Sequence, residues 1–524
     1  MKKKTFQLLV ILWTCFFFFL QGFLNPLNHV VADGYEIYPP ENGDWIITNE
    51  TNISNKTIIL NGNLSLLDGG TLKMNNVTLI FNSTFDGEFQ INVSNGGRLN
   101  IIDSILSTHN ISNGYKFKVF GDMIIKGSEI CYMWGDIHSG VGGIELYSSN
   151  VTIENSTISN GSVVGIYIYS SSPSILNNLI TSNGVLSYEF LNYGYGIKSM
   201  WPSNPIIKYN EISSNYHTGI ELRYGSNATI ESNNISNNIR FGISVEDSSP
   251  NVSFNTISSN KYGIFCYENH WDYPFDIFKY SLMISNNTIY NNTSGIYSDN
   301  TNNVITDNLI INNSYSGIFL HWSNSKIINN TIIEGRYGII CELHSNLVIK
   351  NSTILNSEEE TISIWTTSFV TLINTTFNDT NLNIPNGSVL KVQNYLGVKI
   401  LSKDGIPISN IIIEIKDNDF PIYTFNADNS RKVVWFLVTD RIYHGNSVIT
   451  QNITSIYLEH DTYAFSENPR EVDMSISHTE IFMADDEEEI DNKVIFYALI
   501  LSFLIIIAIA VLLIRKRKKR RSEL

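Results

Sequence analysis

Asp299, His321 and Glu342 set a carboxylate, an imidazole and a second carboxylate at intervals of 22 and 21 residues. Side chains of these types, brought to one place, could ligate a metal ion or divide the roles of general acid and general base. Alternating charge along a solvated column of side chains explains the same three residues without chemistry. A second set is larger and richer in rings: Trp201, Tyr224, Tyr267 and Trp322, interspersed with Arg223, Glu246, Asp247 and Glu268. Flat rings suit the apolar faces of sugars, and Arg223, Glu246 and Glu268 can hydrogen-bond hydroxyls. The competing explanation is cross-strand pairing on an exposed sheet, as Arg223 over Glu246 would provide.

Both sets sit at fixed offsets from a repeated dipeptide. Gly-Ile recurs at Gly143, Gly165, Gly196, Gly219, Gly242, Gly263, Gly295, Gly317 and Gly338, mostly 21 to 23 residues apart. Two intervals are longer, at 31 and 32 residues. The candidate residues Arg223, Glu246, Tyr267, Asp299, His321 and Glu342 each lie three positions after the isoleucine, and Trp201, Tyr224, Asp247, Glu268 and Trp322 lie one further on. A unit of about 22 residues with two or three short apolar alternations and no helix-length pattern cannot bury its own apolar face. It must stack on copies of itself. The predicted fold is all-β: a parallel β-helix with one repeat per coil, whose alignment columns become ladders about 4.8 Å apart. Two positions after each isoleucine the column reads Leu146, Ile168, Ser199, Leu222, Val245, Cys266, Ser298, Leu320, Cys341 and Ile364, and is predicted to face inward.

A second marker, Asn-x-Ile or a close variant, runs in phase. Its asparagines, Asn178, Asn210, Asn233, Asn255, Asn287, Asn308 and Asn330, are predicted to stack as an amide ladder at a turn, because buried amides must be paired. The succession Asn-x-Ile, Asn, Gly-Ile, then Ser-x-Pro or Ser-Asn resembles the right-handed parallel β-helix repeats of archaeal surface proteins and of the NosD family of copper-related periplasmic proteins. It does so over about residues 100 to 380. The resemblance implies the fold and the right-handed coil. It carries little about function. The methionines, histidines and cysteines are scattered rather than clustered, which speaks against copper handling, and no cofactor motif is present. The longer intervals place insertions at about Val185 to Tyr195 and Tyr267 to Ser281, expected to project from one face as loops.

The ends read differently. Residues 1–32 resemble a signal peptide, with three lysines, an apolar run from Phe6 to Leu20 and an exit at Val30-Val31-Ala32. Residues 33–100 are expected to form an N-terminal β cap and first irregular coils, 101–385 the β-helix, and 388–484 a small immunoglobulin-like or carboxypeptidase-regulatory-like β-sandwich. An acidic segment, 485–493, precedes the uncharged run Val494 to Ile514, long enough to span a bilayer, and the basic tail 515–524 follows. That polarity predicts a single-pass protein with a cytoplasmic C-terminus and everything else outside. The chain carries a net charge of −16 although both ends are basic, so nucleic acid is excluded as a partner. Twenty-four Asn-x-Ser/Thr sequons lie beyond Asp33, and several are expected to carry glycans. Beyond the signal-like segment only Cys131, Cys266 and Cys341 remain, with no disulfide framework or zinc spacing.

No phosphate loop, zinc helix or nucleophile elbow appears. The sequence therefore favours a membrane-anchored surface protein that binds polysaccharide or another cell-surface glycan, or acts as an adhesin or envelope component. The alternatives are a polysaccharide lyase, hydrolase or epimerase, a spacer without ligand, and a NosD-like copper-related protein.

Overall fold

The computed structural model describes residues 39–184, 193–269, 280–417, 420–428, 433–445, 447–450 and 454–485, with part of a helix between 500 and 509. The signal-like segment 1–32, most of both insertions, and most of the run Val494 to Ile514 lie outside the described residues. Among the described residues no helix is long and apolar enough to cross a membrane.

The chain winds as a right-handed all-β solenoid of about 14 turns. At a spacing of about 4.8 Å per coil, that is about 65 Å of prism. Each coil lays one short strand on each of three parallel sheets. The first sheet begins at Trp45–Ile47, passes through Thr218–Arg223 and Phe241–Glu246, and ends at Leu382–Asn383. The second starts with the first half of Glu50–Leu60 and ends on the first half of Val389–Leu401. The third takes up the second half of Glu50–Leu60 and closes at Thr376–Phe377. The inward column of the first sheet is as the periodicity predicts. From Leu146 to Ile364 every member is fully buried, including Ser199, Ser298, Cys266 and Cys341. The three cysteines are free thiols, and Cys266 and Cys341 stand three coils apart, separated by Ser298 and Leu320.

The corners show why asparagine and glycine recur. The Asn233 side chain donates through Nδ2 to the Ile207 carbonyl at 2.9 Å and to Oδ1 of Asn255 at 3.0 Å, while its own Oδ1 accepts from Nδ2 of Asn210 at 2.9 Å. The residue before each ladder asparagine holds a left-handed backbone, as at Asn177, Tyr209 and Ser232. A second ladder, unforeseen, runs five residues later through Asn183, Asn215, Asn238, Asn260, Asn292 and Asn313. It also fixes the glycine of Gly-Ile: a Cβ on Gly219 would fall 2.7 Å from the Gly242 carbonyl oxygen and 2.9 Å from Nδ2 of Asn238. Only a residue without a side chain fits between those two amides.

After the last coil the long strand Val389–Leu401 changes partners. From Val389 to Val398 it pairs antiparallel with Val434–His444, and from Leu396 to Leu401 it pairs parallel with His478–Met483. A separate four-stranded sheet is built on Ile411–Asp417, flanked by Phe420–Ala427 and Thr454–Glu459. The two sheets share a second hydrophobic core, with Leu396, Phe436 and Phe482 from one and Ile413, Ile415 and Ile456 from the other.

Candidate functional site

Strand alternation decides what the first sheet shows to the outside. In Thr218–Arg223, Ile220 and Leu222 point into the coil, so Glu221 and Arg223 point out. The equivalent residues one coil earlier are Lys198 and Met200, and one coil later Ser244 and Glu246. Over these coils the outer surface is partly covered. The small antiparallel pairing of Gly135–Asp136 with Val141–Gly142 lays Ile137 and Val141 against Val164, Tyr167 and Tyr195.

Beside that cover lies a cleft of about 690 Å³, lined by Ser139, Tyr193, Tyr195, Lys198, Met200, His217, Arg223, Ile239, Arg240 and Lys261. Its floor is a chain of charges. Arg223 Nη2 lies 3.0 Å from Glu221 Oε1, and Arg223 Nε lies 2.9 Å from Glu246 Oε2. Lys198 Nζ lies 3.9 Å from Glu221 Oε2 and donates to the Gly140 carbonyl at 3.2 Å. Lys198, Glu221 and Glu246 are all no more than 5% exposed. Burial raises the Glu221 carboxyl above its ordinary range, against the pull of Arg223 and Lys198. Burial likewise lowers the Lys198 ammonium, with Glu221 opposing. For Arg223 burial acts downward, but Glu221 and Glu246 raise it on balance.

One wall is a line of rings crossing the coils. Tyr195, His217, Phe241 and Tyr262 meet edge-on or stacked at centroid distances of 5.5, 5.6 and 5.5 Å. His217 Nδ1 meets Thr218 Oγ1 at 2.8 Å, and Nε2 faces Arg240 Nη1 at 3.4 Å. Burial, then Arg240, Arg223 and Lys198, push the imidazole down to about 4. His217 is therefore neutral near pH 7, with the Nδ1–H donating and Nε2 accepting from Arg240.

The opposite edge carries two of the predicted aromatic residues, Trp201 and Tyr224, within a longer row. Phe120, Tyr147, Tyr169, Trp201 and Tyr224 form an unbroken row, one ring per coil, with successive centroids 4.7, 5.9, 6.4 and 5.4 Å apart. Trp201 is 46% exposed and Phe120 44%. The structure thus brings together Trp201, Arg223, Tyr224 and Glu246, with Tyr267 on the next coil. Burial, then hydrogen bonding to Glu246, raises the Tyr267 phenol well above its usual range. Asp247 stands at the same corner and accepts from the Asn269 amide at 2.8 Å, and Glu268 follows one coil on. Trp322 lies four coils from Tyr224, half exposed and stacked on His321 with centroids 6.1 Å apart.

Asp299, His321 and Glu342 do form one column on successive coils. His321 Nδ1 lies 2.6 Å from Asp299 Oδ1, a surface ion pair or hydrogen bond. Among the described residues no three His, Cys, Asp or Glu side chains gather closely enough to hold a metal ion.

Lys198, His217, Glu221, Arg240 and Lys261 escaped the sequence reading. Lys198 and Glu221 lie one position after the Gly-Ile isoleucine, so the alternation that put the next residue inside already placed them outside. His217, Arg240 and Lys261 precede the strand, where alternation says nothing and only the coil-to-coil register aligns them.

Residues 136–274 and 278–400 match the family described as right handed beta helix region. No curated protein matches the chain. Among solved structures it is similar to the periplasmic alginate epimerase AlgG, at 14% identity and a TM-score of 0.41, over 61% of this chain and 78% of that one. It is similar to the A-module of the Azotobacter vinelandii mannuronan C-5 epimerase AlgE6, at 15% identity and 0.40, over 56% and 90%. It is also similar to PfbA, a surface adhesin of Streptococcus pneumoniae, at 12% identity and 0.34, over 82% and 91%.

Proposed function

We propose that this chain, which belongs to the right-handed β-helix family, is a membrane-anchored cell-surface protein that binds a polysaccharide along the outer face of its first sheet. The observation that carries the reading is the row of five rings from Phe120 to Tyr224, which runs beside the cleft over Arg223. Rings held one per coil on a rigid sheet need little ordering on contact, so a modest gain per ring accumulates along an extended sugar chain. Export and anchoring rest on the signal-like start and on the apolar run Val494 to Ile514 with its basic tail. Residues 388–484 then serve as a β-sandwich stalk between membrane and solenoid.

A second reading, polysaccharide modification, is favoured by one observation: the cleft floor holds Glu221 and Lys198 with burial acting on both in opposite directions. Ionisable groups perturbed in this way mark functional clefts as well as structural ion pairs. Titrating the full-length protein with polysaccharides of increasing length tests the first reading, which expects affinity to rise with length. Release of shortened or unsaturated products in the same mixture would favour the second. Absence of binding by any polysaccharide, the cell's own envelope glycans included, at millimolar sugar would leave a spacer.

A further inference from the structure

We infer that the cleft between Lys198, Arg240 and Lys261 is an anion subsite, and that the polysaccharide bound by this face is an acidic one, bearing carboxylate or sulfate groups. The inference rests on the glycan reading above and narrows its ligand to a charge class. Four cations, Lys198, Arg223, Arg240 and Lys261, line the cleft, against two carboxylates, Glu221 and Glu246, beneath it. Both carboxylates are committed to Arg223, and Glu221 also faces Lys198. The excess positive charge therefore sits on Arg240 and Lys261. Neither meets a carboxylate within ion-pair distance among the described residues. Arg240 packs over Phe241 and touches neutral His217, and Lys261 lies over the Tyr262 ring. Both are exposed at the cleft rim.

This local excess stands on a chain of net charge −16. A random surface of such a protein repels anions, so a cationic cleft concentrates them only where it is built. Arg240 and Lys261 occupy adjacent coils, because Phe241 and Tyr262 are paired in register. Their pitch along the solenoid is therefore about 4.8 Å. A polymer with one anionic group per sugar, lying along the solenoid axis on this edge, would present successive charges to Arg240 and Lys261 at that pitch. The buried network below does not supply the net charge. It fixes Arg223 between the two, at a desolvation cost that apolar residues on the same sheet would not incur.

Three probes separate the claims on the full-length protein: polygalacturonate, which is carboxylated, dextran sulfate, which is sulfated, and neutral dextran. The expected result is that at least one acidic chain binds ten-fold or more tightly than dextran at low salt. That advantage should shrink as salt rises and should vanish in the double variant R240Q/K261Q. Which acidic chain wins identifies the anionic group. Both side chains are exposed, so the variant keeps its fold, which its unchanged thermal midpoint verifies. Should dextran bind as tightly as the acidic chains, or should R240Q/K261Q keep the acidic preference, the anion subsite is overturned. In that case dextran binding that Trp201→Ala abolishes would leave the glycan reading standing. If none of the three binds and the envelope glycans also fail, both readings fall together.

Discussion

Arg223 reaches across to the neighbouring coil and places its Nε 2.9 Å from Oε2 of Glu246, while its Nη2 holds Glu221 of its own strand at 3.0 Å. One guanidinium thus binds two carboxylates that are almost completely removed from water. Removing it leaves Glu221 with Lys198, 3.9 Å away, and Glu246 with the Tyr267 hydroxyl. Arg223→Ala should therefore cost about 2–4 kcal/mol of stability, read from urea denaturation of the purified protein. Replacing the pair together, as Arg223→Met with Glu246→Leu, should cost clearly less than the two single changes summed. Additive losses would mean that the two side chains are not coupled.

Asn233 tests the amide ladder. Asn233→Ala removes an acceptor for both the backbone and side-chain amides of Asn210 and a donor to Ile207 and Asn255, all in a dry corner. A loss of about 2–4 kcal/mol is expected, since buried partners are left unsatisfied. The same substitution at the next residue, Asn234, which is exposed on the outer face of a strand, should change stability by less than about 0.5 kcal/mol.

The fold was legible in the chain because a solenoid turns sequence period into spatial register. The Gly-Ile and Asn-x-Ile spacings alone align Ile220 with Ile243 and Asn210 with Asn233, as the parallel pairing does. The second amide ladder was not seen because Asn183, Asn215 and Asn238 lie in stretches that read as ordinary turns. Its logic appears only when the Gly-Ile glycine is found wedged against it. At the site, Trp201, Arg223 and Tyr224 were identified by column. Their neighbours Lys198 and Glu221 were passed over because scattered charges on an outward column look like solvated surface. Lys198 is held under the distant segment 135–142 through the Gly140 carbonyl, and Glu221 lies between Lys198 and Arg223, an arrangement that no local pattern encodes.

Ile243, on the same inward face two residues before Val245, is fully buried. Ile243→Asp places a carboxylate with no partner among stacked aliphatic side chains and should prevent folding or lower stability by more than about 4 kcal/mol. Circular dichroism melting checks it. A variant that melts like the natural protein would contradict the assigned inward face.

His217 gives a pH signature. The unfolded chain takes up its proton near pH 6.5, whereas the folded imidazole does so only at about 4. Its contribution to stability is complete above pH 6.5 and is lost as pH falls toward 4, by up to about 3 kcal/mol. Glu221 acts with the opposite sign, since its raised carboxyl favours the protonated form in the fold. The difference between the natural protein and His217→Gln isolates the histidine. That difference should change across pH 6.5 to 4 and stay flat above 7.

The central claim is that the aromatic row on the first sheet is a binding surface rather than packing. Trp201 is the point where the two accounts diverge most, being half exposed between Tyr169 and Tyr224. Calorimetric titration of the full-length protein and Trp201→Ala with the polysaccharide it binds, alongside their thermal midpoints, decides between them. The account predicts binding weakened by about 1–3 kcal/mol with nearly unchanged stability. Unchanged affinity, or a loss of stability as large as the loss of affinity, would contradict it.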